Sequence, residues 1–248
     1  MLYTAVWAHR GASAYAPETK MAAFLLAQKL GADGVELDVH LTADGKVVVC
    51  HDADIKRTSN GKGVIEDMTY EELASFDFGY ANVFGNRFEG ERIPLLEEVY
   101  RALLPCNTII NVELKKSRPE LVRAVLKLEE ECGAAGAVIY SSFVHEYLEE
   151  IKKINPAVPV APLYGCCKEF VALGKGLKAT ALHPSYGDVF SDADYVRKAH
   201  AANLRVHPYT PNDFDTLFAL TELGVDAVIT NYPDRAIEIR NNKLRRFI

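Results

Sequence analysis

Seven side chains in the first half of the chain could do chemistry together: His9 and Arg10, Glu36 and Asp38, His51, and Glu113 with Lys115. Glu36 and Asp38 stand two apart within the apolar run Gly34–Leu41, and Glu113 and Lys115 stand two apart at the end of Thr108–Leu114. Residues two apart in a strand share a face. Three carboxylates converging on one place repel unless a cation compensates them. An all-oxygen set suits a hard divalent ion, Mg²⁺ or Ca²⁺. Zinc fits less well, because no histidine or cysteine has ligand spacing within the trio. Arg10 and Lys115 add positive charge for an anionic ligand, and two imidazoles can serve as acid and base. Together these residues suit cleavage of a phosphate ester. The plainer reading is a salt bridge from Glu36 and Asp38 to Arg10 or Lys115, which does not exclude an ion.

Something must bring these residues to one place. Short apolar runs alternate with segments of helical period. Strands are expected at Tyr3–Ala8, Gly34–Leu41, Lys46–His51, Thr108–Leu114, Ala137–Ser141, Val158–Leu163, Ala179–Leu182, Leu204–Tyr209 and Ala227–Ile229. Helices are expected at Lys20–Leu30, Leu95–Leu104, Pro119–Glu131, Phe143–Ile154, Cys166–Leu173, Ser191–Ala202, Asp213–Leu223 and Pro233–Asn241. The alternation predicts a parallel sheet with helices outside. Glu36–Leu41 and Lys46–His51 are too close in sequence for a parallel crossover, so they pair as a hairpin. Setting that arm aside leaves eight βα units, the count of a (β/α)8 barrel. A doubly wound open sheet is the alternative, and no glycine-rich phosphate fingerprint follows the first strand to support it.

Barrel chemistry sits at the C-terminal ends of the strands. His9, Arg10, Glu36, Asp38, Glu113 and Lys115 fall there, as do His183, His207, Tyr209, Thr230 and Asn231. Of the later group, His183 and Tyr209 are expected to touch substrate, Tyr209 by offering an aromatic face. Asp44-Gly45 reads as a two-residue turn. That register sets Ala43 opposite Lys46 and Asp38 opposite His51, with both side chains on one face. His40, His145 and His200 read as structural, and Cys50 as packing.

The segment at about 52–92 carries Asn60-Gly61-Lys62-Gly63, one short helix at Tyr70–Phe76 and a run of aromatics from Phe76 to Phe88. It reads as an insertion or lid over one end of a single domain spanning 1–248, with the aromatics as its core. The 248 residues hold 28 Lys+Arg and 34 Asp+Glu, a formal net charge of −6. No basic block is present, which argues against nucleic acid as a partner. Five cysteines without a CxxC pair point to a reducing cytoplasm and against a zinc ribbon. Neither a signal peptide nor an apolar stretch long enough to span a membrane is visible. Oligomeric state is not encoded in any readable pattern.

The order and spacing of the motifs resemble the glycerophosphodiester phosphodiesterase family, within the phospholipase-C-like phosphodiesterase superfamily, over nearly the whole chain. The resemblance rests on Ala8-His9-Arg10-Gly11, Pro17-Glu18, Ala22-Ala23-Phe24 and the run Gly31-Ala32-Asp33-Gly34-Val35-Glu36-Leu37-Asp38-Val39. It continues through Thr42-Ala43-Asp44-Gly45, His51-Asp52, Arg57-Thr58-Ser59-Asn60-Gly61-Lys62-Gly63 and Ile93-Pro94-Leu95-Leu96-Glu97-Glu98-Val99. Val112-Glu113-Leu114-Lys115, Ser142-Phe143 and Gly224-Val225-Asp226-Ala227 complete it.

The resemblance implies a (β/α)8 barrel with a small insertion after the second strand. It implies hydrolysis of a glycerophosphodiester to an alcohol and glycerol 3-phosphate, with a divalent cation. It implies that His9 and His51 are the acid/base pair, that Arg10 and Lys115 hold phosphate, and that Glu36, Asp38 and Glu113 hold the ion. Three stretches depart from the family: Thr19-Lys20, Tyr209-Thr210-Pro211-Asn212 and Thr230-Asn231-Tyr232-Pro233. They lie on the substrate rim and the barrel support. A lysophospholipid or phosphoinositide substrate, and a non-catalytic barrel that binds phosphorylated polyols, are the competing expectations.

Overall fold

The computed structural model describes residues 3–245. In chain order the strands are β1 (Ala5–His9), β2 (Gly34–Leu41), β3 (Val47–Val49), β4 (Ile109–Leu114), β5 (Val138–Ser142), β6 (Val160–Tyr164), β7 (Ala181–Pro184), β8 (Arg205–Val206) and β9 (Ala227–Thr230). Eight of them form one parallel ring in the order β8-β7-β6-β5-β4-β2-β1-β9, and β3 stands off it, antiparallel to β2. The ring closes between its ends: Asp226 N–H donates to Val206 O at 3.0 Å and Ile229 N–H to Pro208 O at 3.0 Å. This is the (β/α)8 barrel expected from the strand count.

The outer helices are Met21–Lys29, Leu96–Leu103, Glu120–Glu131, His145–Ile154, Phe170–Gly176, Tyr195–Ala201, Phe214–Leu223 and Pro233–Arg245. Each buries an apolar stripe against the ring. Leu96–Leu103 shows the spacing clearly, with Leu96, Val99, Tyr100 and Leu103 all buried. Asp213 caps Phe214–Leu223 by accepting from the Thr216 N–H at 2.9 Å. Inside the ring, Trp7, Ile139, Ala161, Ala181, Ala227 and Ile229 form a buried apolar cluster. The interior is therefore filled by side chains.

Several boundaries differ from expectation. The helix expected from Cys166 begins at Phe170, because Cys166 sits at φ +56° and sends its N–H to Asp188 Oδ1 at 2.8 Å. The helix expected at Ser191–Ala202 begins only at Tyr195 and ends at Ala201, and a short helix that was not expected, Tyr186–Phe190, precedes it.

The hairpin register also differs. Val39 faces Val49, His40 faces Val48 and Leu41 faces Val47, one residue away from the register that would set Asp38 opposite His51. The loop has three residues rather than two. Thr42 N–H donates to Lys46 O at 2.9 Å, Gly45 N–H donates to Thr42 O at 3.1 Å, and Gly45 takes φ +78°. The Thr42 hydroxyl reinforces this turn by accepting from Lys46 N–H at 2.8 Å and donating to Asp44 at 2.6 Å. A glycine in the left-handed region at the third loop position is the signature of that longer turn. Cys50, not His51, consequently bonds to Asp38, through a backbone contact of 3.0 Å.

After β3 the chain builds the region 52–92, which contains the short helices Tyr70–Ala74 and Ala81–Phe84. Its apolar cluster joins Val48, Cys50, Ile55, Ile65, Leu73, Phe78 and Ile93. Phe78 is core, whereas Phe84 and Phe88 meet edge to face at 5.4 Å and stay half-exposed. Lys20 ties this region to the barrel. It is fully buried, with its ammonium 4.9 Å from the Phe78 ring and donating to Thr19 Oγ1 at 3.1 Å. Among the described residues no helix is long and apolar enough to cross a membrane.

Candidate active site

The β1 end turns sharply. Arg10 and Gly11 take φ +56° and +80° in succession, and a Cβ on Gly11 would lie 2.6 Å from the Ala23 backbone. Only glycine fits so close an approach in that conformation. The turn aims the Arg10 N–H at Glu36 Oε2, 2.9 Å away. Its guanidinium reaches Glu18 Oε1 at 2.9 Å and Asp38 Oδ2 at 3.6 Å. Burial opposes that charge, but Asp38, Glu36 and Glu18 outweigh it and hold the Arg10 pKa above its ordinary value.

Glu36, Asp38 and Glu113 each place one carboxylate oxygen within 4.8 Å of the others. All three are buried. Register explains the meeting: β2 and β4 run parallel with Glu36 beside Asn111 and Asp38 beside Glu113. Burial pushes the Glu36 carboxyl well up, with Asp38 and Glu113 adding repulsion, and burial with Asp38 raises Glu113 to about 7. Glu36 Oε1 and both Asp38 oxygens are buried without a hydrogen-bond partner. Buried carboxylate oxygens in that state are costly unless a cation meets them. The donor set thus fits a hard divalent ion.

Lys115 borders the trio. Its ammonium lies 2.7 Å from Glu113, 3.4 Å from Asp38 and 3.3 Å from His51 Nε2. The expected salt bridges from Asp38 to Arg10 and Lys115 are therefore present, yet they leave the three oxygens unsatisfied.

Both histidines are held by Nδ1. His9 Nδ1 donates to Asn231 Oδ1 at 2.6 Å, and His51 Nδ1 donates to Asp52 Oδ1 at 2.6 Å. Each ring thereby directs Nε2 away from its anchor: that of His9 lies 3.8 Å from Glu36, that of His51 faces Lys115. Burial and the neighbouring Arg10 push the His9 pKa down to about 4. His40 serves the backbone, its Nε2 lying 3.2 Å from His51 O. His145 bonds Leu163 O at 2.9 Å and His200 bonds Asp226 at 2.8 Å, both away from the trio.

His183 does not reach the mouth. It is fully buried, 3.1 Å from His207 and edge to face with Trp7 at 6.0 Å. With no exposed surface it has no face to offer a substrate, and the expectation that it contacts one is corrected. Tyr209 keeps a half-exposed ring, packed edge to face with Phe143 at 6.0 Å, and donates its hydroxyl to Tyr164 O at 3.0 Å.

Four residues outside the expected set take part. Asn231 and Asp52 orient the imidazoles. Glu18 joins Arg10 to Arg57, and Arg57 joins Glu18 to Asp52. Burial works against ionising Glu18, but Arg57 and Arg10 outweigh it and hold the carboxyl down at about 2. Asp52 is likewise held at about 2 by Arg57 and His51 against burial. Asp52 follows His51 directly and Asn231 ends a strand, so both carried a signal. Glu18 lies in a turn and Arg57 ends the single 3-10 turn Ile55–Arg57, where no periodicity marks a facing; their one signal is that both stand in motifs of the family resemblance.

The family model described as "Glycerophosphoryl diester phosphodiesterase family" matches residues 9–235. The chain belongs to this family. Among relatives of the glycerophosphoryl diester phosphodiesterase family, one from Caldanaerobacter subterraneus subsp. tengcongensis, named glycerophosphodiester phosphodiesterase, is 36% identical over 240 residues, covering 95% of this chain and 97% of its own. One of the same name from Bacillus altitudinis is 36% identical over 242 residues, covering 96% and 98%. A solved Oleispira antarctica phosphodiesterase, in complex with the product sn-glycerol-3-phosphate, superimposes with a TM-score of 0.89 at 28% identity, covering 96% of this chain and 97% of that one.

Proposed function

We propose that this chain hydrolyses glycerophosphodiesters to an alcohol and glycerol 3-phosphate with the help of a divalent cation. The observation that carries the reading is the buried trio with three oxygens that accept no hydrogen bond, beside two cationic side chains and two imidazoles anchored through Nδ1. Its relatives carry the activity in their names, and one structural neighbour holds the product.

Glu36, Asp38 and Glu113 would hold Mg²⁺ or Ca²⁺, which when bound supplies charge neutralisation and polarisation of a phosphoryl oxygen. Arg10, beside Asp38 Oδ2, and Lys115, beside Asp38 Oδ1 and Glu113, bind the phosphate anion. His9 and His51 use Nε2 for proton transfer, one taking the proton of the attacking hydroxyl and the other protonating the leaving alcohol. The attacking hydroxyl belongs to water, giving glycerol 3-phosphate directly, or to the glycerol 2-position, giving a cyclic phosphate that water opens in a second step; trapping the cyclic phosphate decides for the second. Tyr209, beside Phe143, gives the glycerol or alcohol portion an aromatic face. His183 has no part in this set. We further propose that residues 1–248 act as one catalytic domain, with 52–92 as an insertion beside the mouth. We place the enzyme in a reducing cytoplasm, on the ground that all five cysteines are free thiols.

The test is a panel of glycerophosphodiesters (choline, ethanolamine, glycerol and inositol headgroups) and a lysophospholipid, scored by released product with Mg²⁺ or Ca²⁺. Release of glycerol 3-phosphate from the water-soluble diesters is expected, falling at least ~10²-fold in kcat for His9→Ala or His51→Ala. Turnover confined to detergent-dispersed lipid, or near-wild-type turnover in either variant, would overturn the assignment.

A further inference from the structure

The insertion contributes one side chain that joins both halves of the site without touching either reacting group. Arg57 Nε lies 2.5 Å from Asp52 Oδ2, while Asp52 uses its other oxygen to hold His51 Nδ1 at 2.6 Å. Arg57 Nη1 and Nη2 grip Glu18 Oε2 and Oε1 at 2.9 Å and 2.7 Å, and Glu18 Oε1 also receives Arg10 Nη1 at 2.9 Å. The Tyr80 hydroxyl accepts from Arg57 at 3.3 Å and steadies the fork from the insertion side.

From this geometry we propose that Arg57 is a positioning residue that sets the imidazole of His51 and the guanidinium of Arg10 together. The inference rests on the hydrolysis proposed above. A planar guanidinium can serve two carboxylates at fixed angles, and an ammonium cannot. Asp52 alone can still meet His51, but its second oxygen is then free to rotate and the ring loses its fixed direction. Glu18 alone turns its whole charge on Arg10, which draws that guanidinium back from the phosphate position. Small misplacements of this kind are costly when reacting groups must be aligned. Arg57 is more than a third exposed, so as a plain ion pair it adds little to stability, and its effect belongs in turnover.

The test compares Arg57→Gln and Arg57→Lys with Asp52→Asn and Glu18→Gln, each checked by far-UV circular dichroism. Asp52→Asn should lower kcat with little change in KM, and Glu18→Gln should chiefly raise KM. Arg57→Gln should do both, lowering kcat by roughly 10-fold or more. Arg57→Lys should recover part of the KM effect and little of the kcat effect. The Asp52→Asn/Arg57→Gln pair should lose scarcely more kcat than the worse single variant. A readout independent of turnover is the downfield Nδ1 proton of His51, expected as a slowly exchanging signal in the wild type and broadened in Arg57→Gln. An unchanged His51 signal overturns the proposal even in a protein that cleaves none of the diesters tested. So does a folded Arg57→Gln variant with kcat and KM within about twofold of wild type, or losses that multiply as independent changes.

Discussion

Glu36 with Asp38, and Glu113 with Lys115, were legible because strand periodicity puts residues two apart on one face, and His9 and His51 were legible as partners of the same cluster before the family motif supported them. His183 was not. A histidine at a strand end reads the same whether its ring faces the mouth or the core, and only the packing of Trp7 against it and His207 separates the two. That burial has a measurable consequence. It pushes the His183 pKa down to about 3, and His207 is depressed as well. An unfolded imidazole titrates near 6.5. The stability contributed by the neutral ring is complete above that value and is lost as pH falls toward the folded one, at up to about 1.4 kcal/mol per pH unit for one site. Glu113, held up at about 7, acts in the opposite sense in ion-free protein, so the informative quantity is a difference. Urea unfolding between pH 6.5 and 4 should show a shallower pH dependence in His183→Gln than in the wild type. Equal slopes would mean that His183 is not buried as a neutral ring.

At the scale of elements, the strand–helix alternation was legible because each strand is an apolar run and each helix carries a stripe. The hairpin register was not, since Asp44-Gly45 fits both a two-residue turn and the last part of a three-residue one. The Thr42 side chain decides it, by bonding Lys46 N–H and Asp44. His51 then reaches the site from the chain beyond β3, steered by His40, Asp52 and Lys115 rather than by pairing with Asp38. The β1 turn is the other decisive element. Gly11→Ala meets the Ala23 backbone and a positive φ together, and should destabilise the fold by about 2–4 kcal/mol. An unchanged urea midpoint for that variant would contradict the turn as described.

For the whole molecule, the barrel count was legible from eight βα units once the hairpin arm was set aside. The insertion was legible only as a break in rhythm, because its role lies in long-range contacts: its own cluster around Phe78, the buried Lys20 that ties it to the barrel, and Arg57 reaching Glu18. Net charge was the least informative feature. A chain of −6 overall carries Arg10 and Lys115 around its most crowded carboxylates, and local field, not total charge, decides what an anion meets. The most direct measurement is glycerol 3-phosphate release by chelator-treated protein during titration with Mg²⁺ or Ca²⁺, in the wild type and in Glu36→Gln. Chelation should drop wild-type release to background, added ion should restore it, and Glu36→Gln should need a far higher ion concentration. Release that survives chelation, with the same ion dependence in both proteins, would contradict the ion's role.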